Sequence, residues 1–305
     1  MSANRTIIVT GATGRQGGAV VRALIDSNFE ILALTRDSTS PSAQKLASLS
    51  SSIKLLQGDQ DNAPAIFETA NKIASGPVWG VFSVQAKPPN KDTTIEDRQA
   101  KGLIDASLSA GVEFFVYSSV DRGGAKSSTD ATPIPHWATK HYVEQYLCEK
   151  AAGTNMRYTV LRPTAFMEGI TNDFQGKAMA SMWDVAMKGK PLQLVATKDI
   201  GWFAAAAFTH PGEFAGRYIS LAGSSLTFDE ANAIFNKRLG TDMPRIPGFV
   251  ARITLHIINE LDVMFKWIRK QDDGAHIDEL KKMHPRLMDF GTWLETESPF
   301  RSQGL

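Results

Sequence analysis

Residues 6–18, TIIVTGATGRQGG, constrain what this chain can fold into more than any other stretch. An apolar, β-branched run through Ile7, Ile8 and Val9 ends in glycines at every third position, Gly11, Gly14 and Gly17, and a helical apolar period follows from Ala19. Strand, tight turn and helix are expected in that order. Gly11 would turn the chain out of the strand, Gly14 would let backbone approach a ligand, and Gly17 would let the helix lie close on a sheet. The N–H groups of the helix's first turn, at the positive end of its dipole, then suit a phosphate, so the turn is expected to bind a dinucleotide.

Apolar runs with strand character recur at residues 29–36, 53–57, 78–84, 113–119 and 157–161, and helical stretches fall between them at 43–49, from 63, at 94–110 and at 138–151. Strands alternating with helices predict an α/β fold, a Rossmann-type doubly wound parallel sheet over residues 1–162. Residues 163–305 lose that regularity. They are expected to form a smaller, mostly helical C-terminal lobe interleaved with the core, with helices near 169–188, 228–239, 249–269, 276–283 and 290–297 and short strands at 193–195 and 217–221. Met167, Met179, Met182, Met187, Phe174 and Trp183 are candidates for a substrate cleft, though ordinary core is the expected role for most of them.

Cofactor choice is decided at the end of the second strand. An acid there would bond the ribose 2′-hydroxyl of NAD, whereas an arginine pairs with the 2′-phosphate of NADP. Arg36 holds the position, with Asp37 next, so NADP(H) is expected. Past the third strand, Asp59 and Gln60 stand where an adenine collects in doubly wound folds, and Asp59 or Asp61 serves equally well as a helix cap. Prolines 88 and 89 keep residues 85–91 out of helix, as a loop at the glycine-turn edge. Residues 121–135, with two glycines and two prolines, read as a mobile lid or connector.

Lysine and arginine number 33 against 32 acids. There is no basic field to attract nucleic acid or an anionic membrane, and neither is an expected partner. A single cysteine, Cys148, excludes an internal disulfide framework and a multi-cysteine metal site, and is expected to pack in the interior. No metal is expected. No charged head with an apolar core opens the sequence and no later run is long enough to span a bilayer, so the expected location is cytoplasmic, or also nuclear.

These residues together resemble the NmrA-like family of atypical short-chain dehydrogenase/reductases. The matching pieces are Gly11-x-x-Gly14-x-x-Gly17, Thr35-Arg36, the run from Gln57 to Asp61, Tyr117-Ser118-Ser119, the run from His136 to Lys140, Leu161-Arg162-Pro163 and Trp293-Leu294-Glu295. The resemblance implies that Gly11, Thr13, Gly14, Arg15, Gln16 and Gly17 hold the pyrophosphate and Arg36 the 2′-phosphate. Ser83, Val84, Lys140, Pro163, Thr164 and Phe166 would line the ribose and nicotinamide, in a cleft between core and lobe.

The departure is at position 136. Catalytic members of the wider superfamily place tyrosine four residues before lysine, where the cation lowers the phenol's pKa. Here the residue is His136, which could pass a proton, since an unperturbed imidazole titrates near 6.5, or could be inert. Lys140 would be proton carrier or ribose anchor. Ser119 resembles the superfamily's catalytic serine. Two functions are therefore expected: an NADPH-dependent oxidoreductase reducing a small aromatic or conjugated carbonyl-type substrate, or a non-catalytic NADP(H) sensor. The sensor would bind a regulatory partner protein through loops such as 87–92 and 121–135 that the cofactor orders.

Overall fold

In the computed structural model, which describes residues 5–85 and 92–301, β1 (Arg5–Val9) leads through the glycine turn into α1 (Arg15–Leu24). The alternation continues with β2 (Phe29–Thr35), α2 (Pro41–Ala47), β3 (Ile53–Gln57), α3 (Ala63–Ile73), β4 (Val78–Ser83), α4 (Thr93–Ser109), β5 (Phe114–Ser118), α5 (Pro135–Ala151) and β6 (Arg157–Pro163). Next come β7 (Ala165–Phe166), α6 (Phe174–Met187), β8 (Leu192–Val195), α7 (Thr197–Thr209), α8 (Pro211–Phe214), β9 (Tyr218–Leu221) and β10 (Ser224–Leu226). The chain closes with α9 (Phe228–Leu239), α10 (Gly248–Ile257), α11 (Asn259–Ile268), α12 (Ile277–Met283) and α13 (Phe290–Thr296). The loop expected at residues 86–91 lies outside the described residues.

The strands form a seven-stranded sheet in the order β3-β2-β1-β4-β5-β6-β9, with β1 to β6 paired in parallel. The order turns back at β1, where β2 and β4 flank it, and that switch point puts the glycine turn at the sheet's carboxyl edge. Alternate residues of each strand serve the two faces. Ile8, Leu32, Val81 and Phe115 pack with Ile66, Phe67, Leu103, Ile104, Val143 and Leu147 of α3, α4 and α5. On the opposite face Gly80 leaves room for Phe208 of α7, whose ring meets those of Phe29, Trp79 and Phe114 at 6.0–6.5 Å.

No amphipathic pattern in the sequence announces α7. Ile200, Phe203, Ala204 and Phe208 are all buried, and Gly201 is pressed on Ala19 of α1, so its apolar residues surround the helix and trace no stripe. One helix expected over 249–269 is two, broken at Ile258, whose backbone (φ −99°, ψ 73°) leaves the helical region. No glycine or proline marks that break.

The chain divides into two compact units. The first comprises Met1–Val120, Pro135–Arg162 and Lys198–Ile219; the second comprises Asp121–Ile134, Pro163–Thr197 and Ser220–Leu305. The second unit contains a three-stranded sheet, β10-β8-β7, and a core that includes Met182, Trp183, Phe228, Phe235, Phe265, Phe290 and Trp293. Met167, Met182, Met187 and Trp183 are core residues here, Met179 is partly buried against them, and Phe174 is exposed.

Residues 121–134, within the stretch expected to be a lid or connector, carry a short 3-10 helix at Gly124–Ser128 and a set of internal hydrogen bonds. Fully buried Arg122 donates from Nη2 to the Ser127 carbonyl (2.6 Å) and from Nε to that of Asp130 (3.3 Å), and Asp121 Oδ1 accepts from Gly124 N and Ser220 Oγ. Among the described residues no helix is long and apolar enough to cross a membrane, and no group of three metal-ligating side chains occurs.

Candidate functional site

Gly11 adopts φ +58°, the left-handed conformation that lets β1 turn directly into the next segment. Gly14 N donates to the Gly11 carbonyl at 2.8 Å, closing the turn. A Cβ on Gly17 would lie 2.5 Å from the Thr10 carbonyl oxygen and closer still to that of Gly11, so helix and turn approach as only glycine permits. The α1 helix opens on Gly14 with no side chain capping it, while Thr13, Gly14 and Arg15 are exposed. An uncapped helix start with glycine on both sides fits a diphosphate.

Side chains from the neighbouring strands tie this edge together. Thr10 Oγ1 donates to the Val84 carbonyl (2.9 Å) and accepts from Val84 N (2.8 Å), clamping the end of β4 to the turn. Ser83 is fully buried and accepts from Gln85 Nε2 at 3.0 Å; the same nitrogen donates to Gln60 Oε1 at 3.2 Å. Gln85 is 6% exposed, and its Oε1 is buried with no hydrogen-bond partner among the described residues. An unfilled buried acceptor at this edge is suited to a donor on a bound ligand. At the end of β5, Ser118 Oγ donates to Gln16 Oε1 at 2.6 Å and so orients the first turn of α1.

Arg36 is exposed one residue past β2. Asp37 Oδ1 accepts from Thr39 N (2.8 Å) and Thr39 Oγ1 (2.6 Å), and these bonds hold its carboxyl below the usual range. Asp59 accepts from Asp61 N at 3.0 Å, capping the short 3-10 turn Gln60–Asn62, and Asn62 caps α3. Asp61 instead takes Arg98 (2.8 Å) and Gln99 (3.2 Å), which hold its carboxyl low.

Lys140, on the second turn of α5, has its Nζ 2.7 Å from Glu96 Oε1 and 3.4 Å from the Ser118 carbonyl oxygen. No sequence motif points to Glu96 as its partner. His136 is half-buried at the start of α5. Ser119 is 3% exposed, and its hydroxyl donates to the buried Glu144 carboxylate, which also takes Arg162 Nε (3.2 Å) and Nη2 (2.6 Å).

Thus Gly11, Gln16, Ser83, Val84, Ser119 and Lys140 lie along one sheet edge of the first unit. Thr164, whose Oγ1 donates to the Leu221 carbonyl, and Phe166 in β7 belong to the second unit, as does Pro163. Cys148 is exposed on α5, contrary to the interior position expected of it, because it falls on the helix's outer side with Glu149 and Lys150. Nearby Tyr158 and Tyr218 meet at 3.2 Å between hydroxyls, and burial pushes both phenols up.

Comparison with known proteins places this geometry. The model of the NmrA-like family matches residues 3–294. The NmrA-like family domain-containing oxidoreductase hkm9 of Aspergillus hancockii is 37% identical over 135 residues, 42% of this chain and 36% of that protein, so the chain matches well under half of this relative's length. Among solved structures, NmrA, a negative transcriptional regulator crystallised with NADP, superposes with a TM-score of 0.71 at 18% identity, covering 100% of this chain and 99% of that one. The Citrobacter sp. triphenylmethane reductase complexed with NADP(H) gives 0.72 at 20% identity, covering 98% and 100%. Both share the fold. With nearly its whole length matched by the family model, the chain belongs to the NmrA-like family.

Proposed function

We propose that this chain binds NADP(H) at the glycine turn and reduces a small aromatic or conjugated carbonyl-type substrate. The observation that carries this reading is the start of α1, uncapped, flanked by close-packed glycines and followed one strand away by exposed Arg36. Similar proteins named as oxidoreductases, and structural neighbours crystallised with NADP or NADP(H), support it.

In this reading Thr13, Gly14, Arg15 and Gln16 hold the diphosphate and Arg36 the 2′-phosphate. Asp59, Gln60 and Gln85 lie on the adenosine side, while Ser83, Val84 and Lys140 face the ribose. When bound, the dinucleotide supplies a hydride to the electrophilic carbon of the substrate. His136 or Lys140 gives the proton that the reduced oxygen needs. Ser119, already donating to Glu144, supports the site from behind rather than polarising the substrate.

A second reading, a regulator that binds NADP(H) and a partner protein without turnover, is favoured by one observation. Phe249, Ile253 and Ile257 stand 64%, 54% and 74% exposed at four-residue spacing on α10, an apolar row that a partner would cover. One experiment separates the two. Purified protein is given NADPH with a panel of aldehydes, ketones and enones, and its affinity for NADPH is measured by calorimetry. Consumption of NADPH with any of them supports the reductase; tight binding with none consumed supports the regulator. No binding sinks both.

A further inference from the structure

Glu96 is 3% exposed in the first turn of α4, a place where the helix dipole favours an acid. The helix does not need it there. Asp92 already caps α4, accepting from Thr94 N at 3.0 Å and from Thr94 Oγ1 at 2.6 Å. Packing between α4 and α5 does not need it either, being carried by Ala100, Leu103 and Ile104 against Val143 and Leu147. A buried carboxylate with neither duty is costly unless a cation answers it, and the cation here is Lys140 at 2.7 Å.

The pair differs from its neighbour on the same helix. Asp97 and Lys101, four residues apart, also meet at 2.8 Å, but their side chains are 35% and 32% exposed, an ordinary solvated pair. The Glu96 and Lys140 side chains are 4% and 15% exposed and come from different helices. Three groups therefore fix Lys140 Nζ: the Glu96 carboxylate from α4, the Ser118 carbonyl at 3.4 Å, and the face of the Tyr117 ring, 5.7 Å from Nζ to the centroid. An ammonium has three N–H donors; the Ser118 carbonyl takes one, and Glu96 Oε1 stands at 2.7 Å as the close counter-charge, outside hydrogen-bond geometry. Among the described residues that leaves donor capacity for a ligand at the sheet edge where Ser118 holds Gln16.

We propose that Glu96 is a positioning residue that pins Lys140 as a fixed, charged hydrogen-bond donor to the dinucleotide ribose. This rests on the NADP(H) reading above and narrows it. Were Lys140 to hand its proton to the substrate, the Glu96 carboxylate would be left buried beside a neutral amine, without the cation that compensates it. Lys140 is thus the anchor and not the proton source, which leaves His136 as the candidate for that role.

Glu96→Gln, Glu96→Asp and Lys140→Met test this, with two readouts that need no turnover. One is the NADP⁺ dissociation constant by calorimetry. The other is the acetylation rate of Lys140 by an N-hydroxysuccinimide ester, followed by peptide mass spectrometry with Lys101 as internal standard. Glu96→Gln is expected to weaken NADP⁺ about 10-fold and to speed Lys140 acetylation about 5-fold relative to Lys101, as a charge-assisted restraint is lost. In the reductase assay the KM for NADPH should rise by a larger factor than kcat falls. Glu96→Asp, which keeps the charge, should recover most of the affinity.

Wild-type affinity and wild-type acetylation in Glu96→Gln overturn the proposal while leaving the NADP(H) reading intact, provided Lys140→Met weakens NADP⁺. If Lys140→Met leaves NADP⁺ affinity unchanged, Lys140 is not a dinucleotide ligand and the proposal fails with that part of the reading. Should Glu96→Gln not fold, Glu96→Asp decides alone: about a 2-fold change in both readouts supports the restraint, and none refutes it.

Discussion

The hydroxyl of Ser119 donates to the carboxylate of Glu144, inside the first unit, and Arg162 closes the same carboxylate from the other side at 2.6 Å. Glu144 and Arg162 are 3% and 2% exposed, and the guanidinium lies 4.6 Å from the centroid of the Tyr218 ring. A buried ion pair of this kind is held by its full set of partners, so removing any one is expected to cost more than an exposed pair would. Arg162→Leu should lower stability by about 3–5 kcal/mol, and Ser119→Ala by about 1–2 kcal/mol. Urea unfolding checks both. A loss for Ser119→Ala near zero would mean that its hydroxyl is not committed to Glu144, and would return it to the candidates for chemistry.

At the opposite edge of the sheet, Glu30 of β2 accepts from Thr6 Oγ1 (3.0 Å), Ser75 N (2.8 Å) and Ser75 Oγ (2.7 Å), and pairs with Lys54 at 2.5 Å. Burial alone would push its carboxyl up. Lys54, Ser75 and Thr6 outweigh that and hold it at about 2 against an ordinary value of 4.5. Because the folded value lies below the unfolded one, the contribution is complete above about pH 4.5 and drains away as pH falls toward 2. It amounts to about 3 kcal/mol. Glu30→Gln should flatten the stability profile between those limits, measured by chemical denaturation at successive pH values. An unchanged acid limb would show that other carboxylates dominate it.

The glycine turn makes a test of close approach possible with an internal control. Gly17→Ala would place a methyl 2.5 Å from the Thr10 carbonyl oxygen, against backbone that has nowhere to go. It should cost about 2–4 kcal/mol and weaken NADPH binding by at least about 10-fold, since the cradle must open. In Gly102→Ala, on α4, the added methyl meets nothing within 4 Å, and better helix propensity should stabilise by about 0.5–1 kcal/mol. Thermal melts and NADPH calorimetry on the two variants check the contrast; equal effects would show that the turn is not fitted to its glycine.

The parallel sheet is legible in the sequence because each strand is a short apolar run bounded by turn residues, and the order of runs and helical periods leaves few topologies. The three glycines mark the site's edge for the same local reason. What sequence hides is set by contacts distant along the chain. Helix α7 is buried along most of its length, against α1 at Gly201 and against the sheet at Phe208, so it lacks the broad polar face that would reveal it. Arg122 folds residues 121–134 around a buried guanidinium in a stretch whose glycines and prolines read as slack. Glu96 carries no signal, since acids are common in first turns on dipole grounds, and only the packing of α4 on α5 brings it to Lys140.

Cofactor selection turns on the end of β2, where a cation and an acid stand side by side. Asp37 is partly committed to its own loop, since Thr39 occupies its Oδ1 with both backbone and side-chain donors, and only Oδ2 is left to accept from a ribose hydroxyl. Arg36 is exposed there too, and it is the cation at that strand end that a 2′-phosphate would meet. Arg36→Ala should therefore weaken NADPH by about 10- to 100-fold, the worth of a charge-assisted contact to phosphate, and leave NADH affinity where it was. Because the contact is exposed, raising salt should shrink the wild-type preference for NADPH and barely move the variant. Calorimetry of both dinucleotides at low and high salt measures this directly. If Arg36→Ala weakens NADPH and NADH alike, the guanidinium is not reading the 2′-phosphate, and selection must lie with another residue past β2 or β3.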